Sequence, residues 1–170
     1  QMKNKNEAIM ASDQGDRTDR FEAKRELIIS AAAELINERG VKGMTFVDVG
    51  RMVDLNTTSI AYYFKRKDRR LLSRIPLRWM SDEAKEKLAE AAFHRTLARI
   101  EREVDEAAAK DSPRARIAHY LELTFDRIAQ QRAGTYPPEA ALSDIRAMPD
   151  DTRERLLGEF VGMFRKARGF

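Results

Sequence analysis

Apolar residues recur at helical spacing along most of the chain, and no stretch alternates as a strand would, so the pattern predicts an all-α protein. Residues 1–18 are polar and unpatterned and are expected to be a disordered leader. From Asp19, with Glu22 completing a cap, Phe21, Ile28, Ala31, Ala32, Leu35 and Ile36 form one apolar stripe with Lys24 at its edge. Gly40 is the expected stop. Phe46, Val49, Gly50 and Val53 then fall at i, i+3, i+4 and i+7, one face of a short helix. A long helical run follows from Asp68, interrupted by Pro76, an expected kink or hinge. It continues from Ser81 through Ala84, Leu88, Ala91, Ala92, Leu97 and Val104. Further helices are expected over 114–131, over 138–148 after Pro137-Pro138, and from Asp150 or Asp151 through Leu156, Phe160 and Phe164.

The segment from Thr45 to Lys67 carries the most specific chemistry. Thr45 and Asp48 have capping-box spacing. Asp54-Leu55-Asn56 breaks the pattern with residues that tolerate a left-handed turn. Asn56 can cap a second helix, Thr57 to Tyr63, on which Ile60 and Phe64 face inward. Thr58, Ser59 and Tyr62 point away, with Thr57, Ala61 and Tyr63 on the flanks. A helix this short is stable only when packed. Gly50 in mid-helix costs about 1 kcal/mol against Ala, a cost that a close helix crossing would explain. Lys65-Arg66-Lys67-Asp68-Arg69-Arg70 follows at once. Hydroxyls, two tyrosines and a basic run on one helix and its exit are what contact with phosphates and base edges requires.

Charge sharpens the division. Residues 1–80 hold 16 Lys and Arg against 11 Asp and Glu, and residues 81–170 hold 16 against 17. The excess positive charge thus lies with the helix-turn-helix, the footprint of a nucleic-acid-binding head on a neutral body. The chain has no cysteine and only two histidines, His94 and His119. Disulfides and thiolate chemistry are excluded, a multi-histidine metal site is not expected, and no cofactor is implied. No run approaches a membrane span and no apolar leader follows the basic start, so a cytoplasmic protein is expected. Arg99, Arg102, Glu101, Glu103, Asp105 and Glu106 read as a solvated face with intrahelical pairs.

The spacing of Thr45, Asp48, Val49, Gly50, Val53, Leu55, Ile60, Tyr62, Tyr63, Phe64, Lys67 and Asp68 resembles the DNA-binding domain of the TetR-type (tetracycline-repressor) transcriptional regulators. The resemblance covers about residues 22 to 72. It departs at Asp54, where Gly is usual, at Thr58, Ala61 and Tyr63, and at Arg70, where the family has an apolar residue. It implies a helix-turn-helix domain at 19–67 and a helical ligand-binding and dimerisation domain at 68–170. The family's two further dimer-forming helices would lie beyond the aligned chain, so the second domain is expected to be incomplete. Under the resemblance, Thr45, Tyr62, Tyr63 and Lys67 touch phosphates, with Lys65 in the adjoining basic run. Thr57, Thr58 and Ser59 meet base edges and the Ala61 methyl meets a thymine methyl.

The implied function is a repressor that binds a palindromic double-stranded operator as a homodimer and is released by a small-molecule inducer. Phe93, His94, Tyr120, Phe125, Met148, Phe160 and Phe164 are the candidates to line the inducer pocket. The alternative is a helical interaction or scaffold protein whose trihelix is structural only. An enzyme has no supporting constellation of nucleophile, base or phosphate loop.

Overall fold

The computed structural model describes the backbone of residues 2–64 and 77–168 and, of these, the side chains of 18–64 and 82–168. Six α-helices and one short 3-10 helix occur among the described residues, with no strand. They are α1 (Met2–Gly43), α2 (Phe46–Val53), α3 (Thr57–Phe64), α4 (Leu77–Ala108), α5 (Pro113–Arg132), the 3-10 helix (Leu142–Ala147) and α6 (Asp150–Ala167). The anticipated kink at Pro76 and the basic run from Lys65 lie outside the described residues.

Helix α1 differs from expectation at both ends. Its backbone is helical from Met2, so Asp19 caps nothing and residues 2–18 continue into the helix. That stretch contains no proline to stop it. At the other end Gly40 takes φ 72° and ψ 168°, and one more turn runs to Gly43. Gly40 therefore bends the chain rather than ending the helix, in a conformation that suits Gly alone.

Between Ile28 and Ile36, α1 is buried on more than one side. Ile28, Ala31, Ala32, Leu35 and Ile36 are in the core as the stripe predicts, but so are Ile29 and Ala33. The cause is that α1 packs against α2 on one side and against α4 and the 3-10 helix on others. Helix α4 is the axis of the fold, since α1, α3, α5, α6 and the 3-10 helix all pack on it. Its Leu88, Ala89, Ala92, Phe93 and Leu97 join the α1 residues, Ile60, Phe64, Ile145, Met148 and Leu156 in one core.

The helix expected over 138–148 does not form. Residues 137–141 take no regular secondary structure, Ala141 being extended, and only Leu142–Ala147 coils, as a 3-10 turn. Side chains from other helices take the hydrogen bonds that a helix would have used. Asn37 on α1 donates to the Glu139 carbonyl at 2.7 Å and accepts from the Ala141 N–H at 2.8 Å. Arg95 donates to the Pro138 carbonyl, and Thr96 to that of Ala140 at 3.4 Å. The segment is a strap across α1 and α4.

The charged run on α4 also differs from a solvated face. Arg99 is only 5% exposed, and it pairs with Glu139 of the strap as well as with Glu103 at 2.5 Å. Arg127 of α5 reaches Glu103 at 3.2 Å and Glu139 at 3.3 Å. Lys166 of α6 bonds Glu101 at 2.8 Å and Asp105 at 3.1 Å, and His119 of α5 meets Glu106 at 2.8 Å. Helices α5 and α6 flank α4, so charges that read as one helix's surface become bonds between helices.

Candidate nucleic-acid interface

The two short helices are set by their caps. Thr45 precedes α2 in an extended conformation, and its hydroxyl oxygen accepts from the Asp48 N–H at 3.1 Å. The same hydroxyl donates to the Asp48 carboxylate at 2.7 Å, which also receives Arg39 at 3.3 Å and Arg51 at 3.2 Å. The acid in the first turn of α2 therefore closes the cap and offsets two nearby cations. Asp54 ends α2 at φ 53° and ψ 51°, the single non-glycine residue of positive φ among the described residues. The Leu55 N–H then returns to the Gly50 carbonyl at 2.9 Å. Asn56 opens α3, accepting the Ser59 N–H on its side chain at 2.8 Å.

Gly50 carries the crossing. A Cβ there would stand 2.3 Å from the Leu55 carbonyl oxygen and 3.3 Å from Cδ1 of Ile60. The close approach anticipated from a costly mid-helix glycine is thus made with the turn and with α3. Ile60 and Phe64 fix α3 from beneath, at 0% and 6% exposure. Thr57, Thr58 and Tyr62 project to solvent, with Ser59, Ala61 and Tyr63 half-buried beside them. Thr58, Tyr62, Ala61 and Tyr63 lie as the helical spacing predicts, but Thr57, expected on a flank, is exposed and Ser59, expected to point outward, is half-buried.

An aromatic cluster ties the exit of α3 to α1. The Tyr63 ring stacks on Phe21 with centroids 4.7 Å apart, and Tyr62 meets Phe21 edge-on at 6.4 Å. Arg25 lies over the Phe64 ring at 5.4 Å, and Lys24 donates to the Val53 carbonyl at 3.4 Å. Phe21 and Lys24, which belong to the α1 stripe in the sequence pattern, also seat the two short helices, Phe21 meeting α3 and Lys24 the end of α2. The signal was there in the aromatic and cationic residues one turn before the apolar block. Lys65 and Lys67 lie outside the described residues.

The pocket candidates scatter. Phe93 and Met148 are buried in the core. His94 is partly exposed on α4, where it reaches Glu159 of α6 at 3.0 Å. Phe125 is 64% exposed. Tyr120 and Phe164 do come together, with Ile100, Val104, Ile117 and Met163, around a cleft of about 290 Å³ between α5 and α6 over α4. Phe160 packs edge-on to Phe164 at 4.8 Å. Among the described residues no helix is long and apolar enough to cross a membrane.

A family model described as "Bacterial regulatory proteins, tetR family" matches residues 28–70. No curated protein and no solved structure matches the chain. The match runs from the buried block of α1 through both short helices and past the exit of α3. The capped α2, the tight turn at Asp54 and the outward face of α3 lie inside it, so this stretch of the chain is similar to the DNA-binding domain of the tetR family of bacterial regulatory proteins.

Proposed function

We propose that α3 is the reading helix, and that Thr57, Thr58 and Ser59 meet base edges while Ala61 packs on a thymine methyl. Tyr62, Tyr63 and Thr45 contact phosphates together with Lys65 and Lys67. The observation that carries this reading is the polarity of α3: Ile60 and Phe64 are buried while Thr57, Thr58 and Tyr62 stand in solvent. The short helix is held rigidly enough for its outer face to serve as a template. Tyr63, half-buried, is held by its stacking on Phe21. Two heads about 34–36 Å apart, as a homodimer supplies, read a palindrome one DNA turn long.

Selection from a random DNA library tests this. Thr58→Ala changes the preferred base at one position of the selected motif, a difference of about 1–3 kcal/mol, with little loss of non-specific affinity. Lys67→Ala weakens binding to all sequences alike and lowers the salt slope by about 1. An identical motif with Thr58→Ala removes that residue from base readout.

The regulatory part of the reading is a repressor released by a small molecule held in the body. The apolar cleft shared by Tyr120 and Phe164 supports it, being concave, lined by aliphatic and aromatic side chains and provided with one hydroxyl. A cleft-filling Val104→Phe variant that stays on its operator in the presence of co-purified ligand is the expected outcome.

A further inference from the structure

The strap holds an acid where a ligand could sit. Glu139 places its carboxylate between two arginines, bonded to Arg99 of α4 and lying 3.3 Å from Arg127 of α5. Arg99, Glu139, Glu103 and Arg127 have side chains only 6%, 10%, 12% and 16% exposed. The set is balanced, two cations against two anions. The backbone of the same residue is pinned to the head, since Asn37 on α1 holds the Glu139 carbonyl and the Ala141 N–H. One residue therefore joins the charged interior of the body to the helix that supports the reading unit.

Hydrogen-bonding capacity around this acid is not used up. Glu103 Oε2, Thr124 Oγ1 and Gln131 Nε2 are buried with no hydrogen-bond partner. Thr124, Arg127 and Gln131 follow one another at spacings of three and four on α5, so they share a face. A hydroxyl and an amide donor on the arginine's own face suit a carboxylate, and so few buried polar groups stay unpaired in native proteins that three in one region ask for an explanation. A groove of about 530 Å³ lies against the strap, and Gln131 and Glu139 are among the residues that line it, with Asn37, Thr135, Tyr136 and Pro138.

We propose that Glu139 is a built-in occupant of a carboxylate site, and that a small carboxylic acid replacing it on Arg99 and Arg127 frees the strap from α1. Withdrawal of Glu139 alone leaves two buried guanidiniums facing one carboxylate, which is costly. Exchange for another carboxylate keeps the charge balanced and uses arginines that are already desolvated. Burial holds Arg99 below its ordinary pKa against the opposing pull of Glu103, so that arginine gains from any anion that stays. The strap is thus closed by default and opened only by an acid. The effect on DNA rests on the regulator reading above; the exchange itself does not.

Calorimetric titration of the 170-residue chain with benzoate and hexanoate, and with benzamide and hexanamide as uncharged counterparts, tests the exchange. The acids are expected to bind and the amides not. Glu139→Gln removes the competing charge and tightens the acids at least tenfold. Asn37→Ala leaves all four charged groups in place, loosens only the strap, and also tightens the acids. Arg127→Met abolishes the response. Acids that bind no better than amides to the native chain and to both tightening variants overturn the proposal. If Glu139→Gln fails to fold by circular dichroism, Asn37→Ala carries the same comparison. Fluorescence anisotropy with DNA selected by the protein gives the second arm: benzoate at saturation lowers DNA affinity at least tenfold, and an unchanged affinity overturns the link from strap to head. Failure to select any DNA sinks the regulator reading, and leaves the exchange to be decided by the titrations alone.

Discussion

The carbonyl oxygen of Leu55 occupies the space that a side chain on Gly50 would need, 2.3 Å from the position of its Cβ. The obstacle is backbone, so it cannot swing aside. Helix propensity alone favours Ala over Gly by about 1 kcal/mol, yet Gly50→Ala should destabilise the head by about 1–3 kcal/mol through overpacking. Gly158, mid-way along α6, has nothing within 4 Å of its Cβ position. Gly158→Ala should therefore stabilise by up to about 1 kcal/mol. Urea unfolding of the two variants, expected to shift in opposite directions, checks both.

Asp54 holds a left-handed conformation that L-residues avoid. Its short side chain makes the position tolerable but not neutral. Asp54→Ala should cost about 1 kcal/mol, and Asp54→Gly should be at least as stable as the native chain. Thermal melting of the pair measures it; equal melting temperatures for Ala and Gly would mean that the turn relaxes to another shape.

Acid sensitivity should arise at the α4–α6 contact. Burial alone would raise the pKa of Glu90, but hydrogen bonds from Lys87 at 2.6 Å and Arg155 at 2.5 Å outweigh it and hold the carboxyl below its ordinary value. A depressed carboxylate pKa stabilises the fold above the unfolded-state value and is lost as pH falls through the folded-state value. Stability should therefore decline on acidification below the usual glutamate range, and Glu90→Gln should flatten that part of the profile. Unfolding free energy measured across the acid range in both proteins is the check.

Ile117, Leu121 and Phe125 of α5 and Leu157, Val161 and Phe164 of α6 are all exposed, at the cleft between the two helices and beside it. Contiguous apolar surface of this kind favours association. The 170-residue chain should bind a hydrophobic dye and self-associate weakly at micromolar concentration, with Phe164→Glu reducing both. Sedimentation that shows a strictly monomeric, dye-silent chain would contradict the open face.

The head was legible because its signals are local. Thr45 with Asp48, Asn56 with Ser59 and the spacing of Ile60 and Phe64 each act within one helical turn, and each appears in the structure as read. The body was less legible because its determinants are distant in sequence. Ile29 and Ala33 are buried by a helix about sixty residues away, which a single-stripe reading cannot register. The strap stays out of a helix because Asn37, Arg95 and Thr96 claim its backbone, overriding an apolar spacing that otherwise suits one. Among the pocket candidates, aromatic character alone could not separate Phe93, which fills the core, from Tyr120 and Phe164, which face a cleft.

The stacking of Tyr63 on Phe21 bears on how far the specificity of this protein could be transplanted. The angle at which α3 leaves the domain is fixed by a ring that lies some forty residues earlier, before the core block of α1. Grafting residues 57–64 alone onto a relative would move the alphabet without the hinge pin that sets its tilt. A working exchange must carry Phe21 and its neighbour Arg25 along with the reading helix, so the smallest portable unit is two separate pieces of chain.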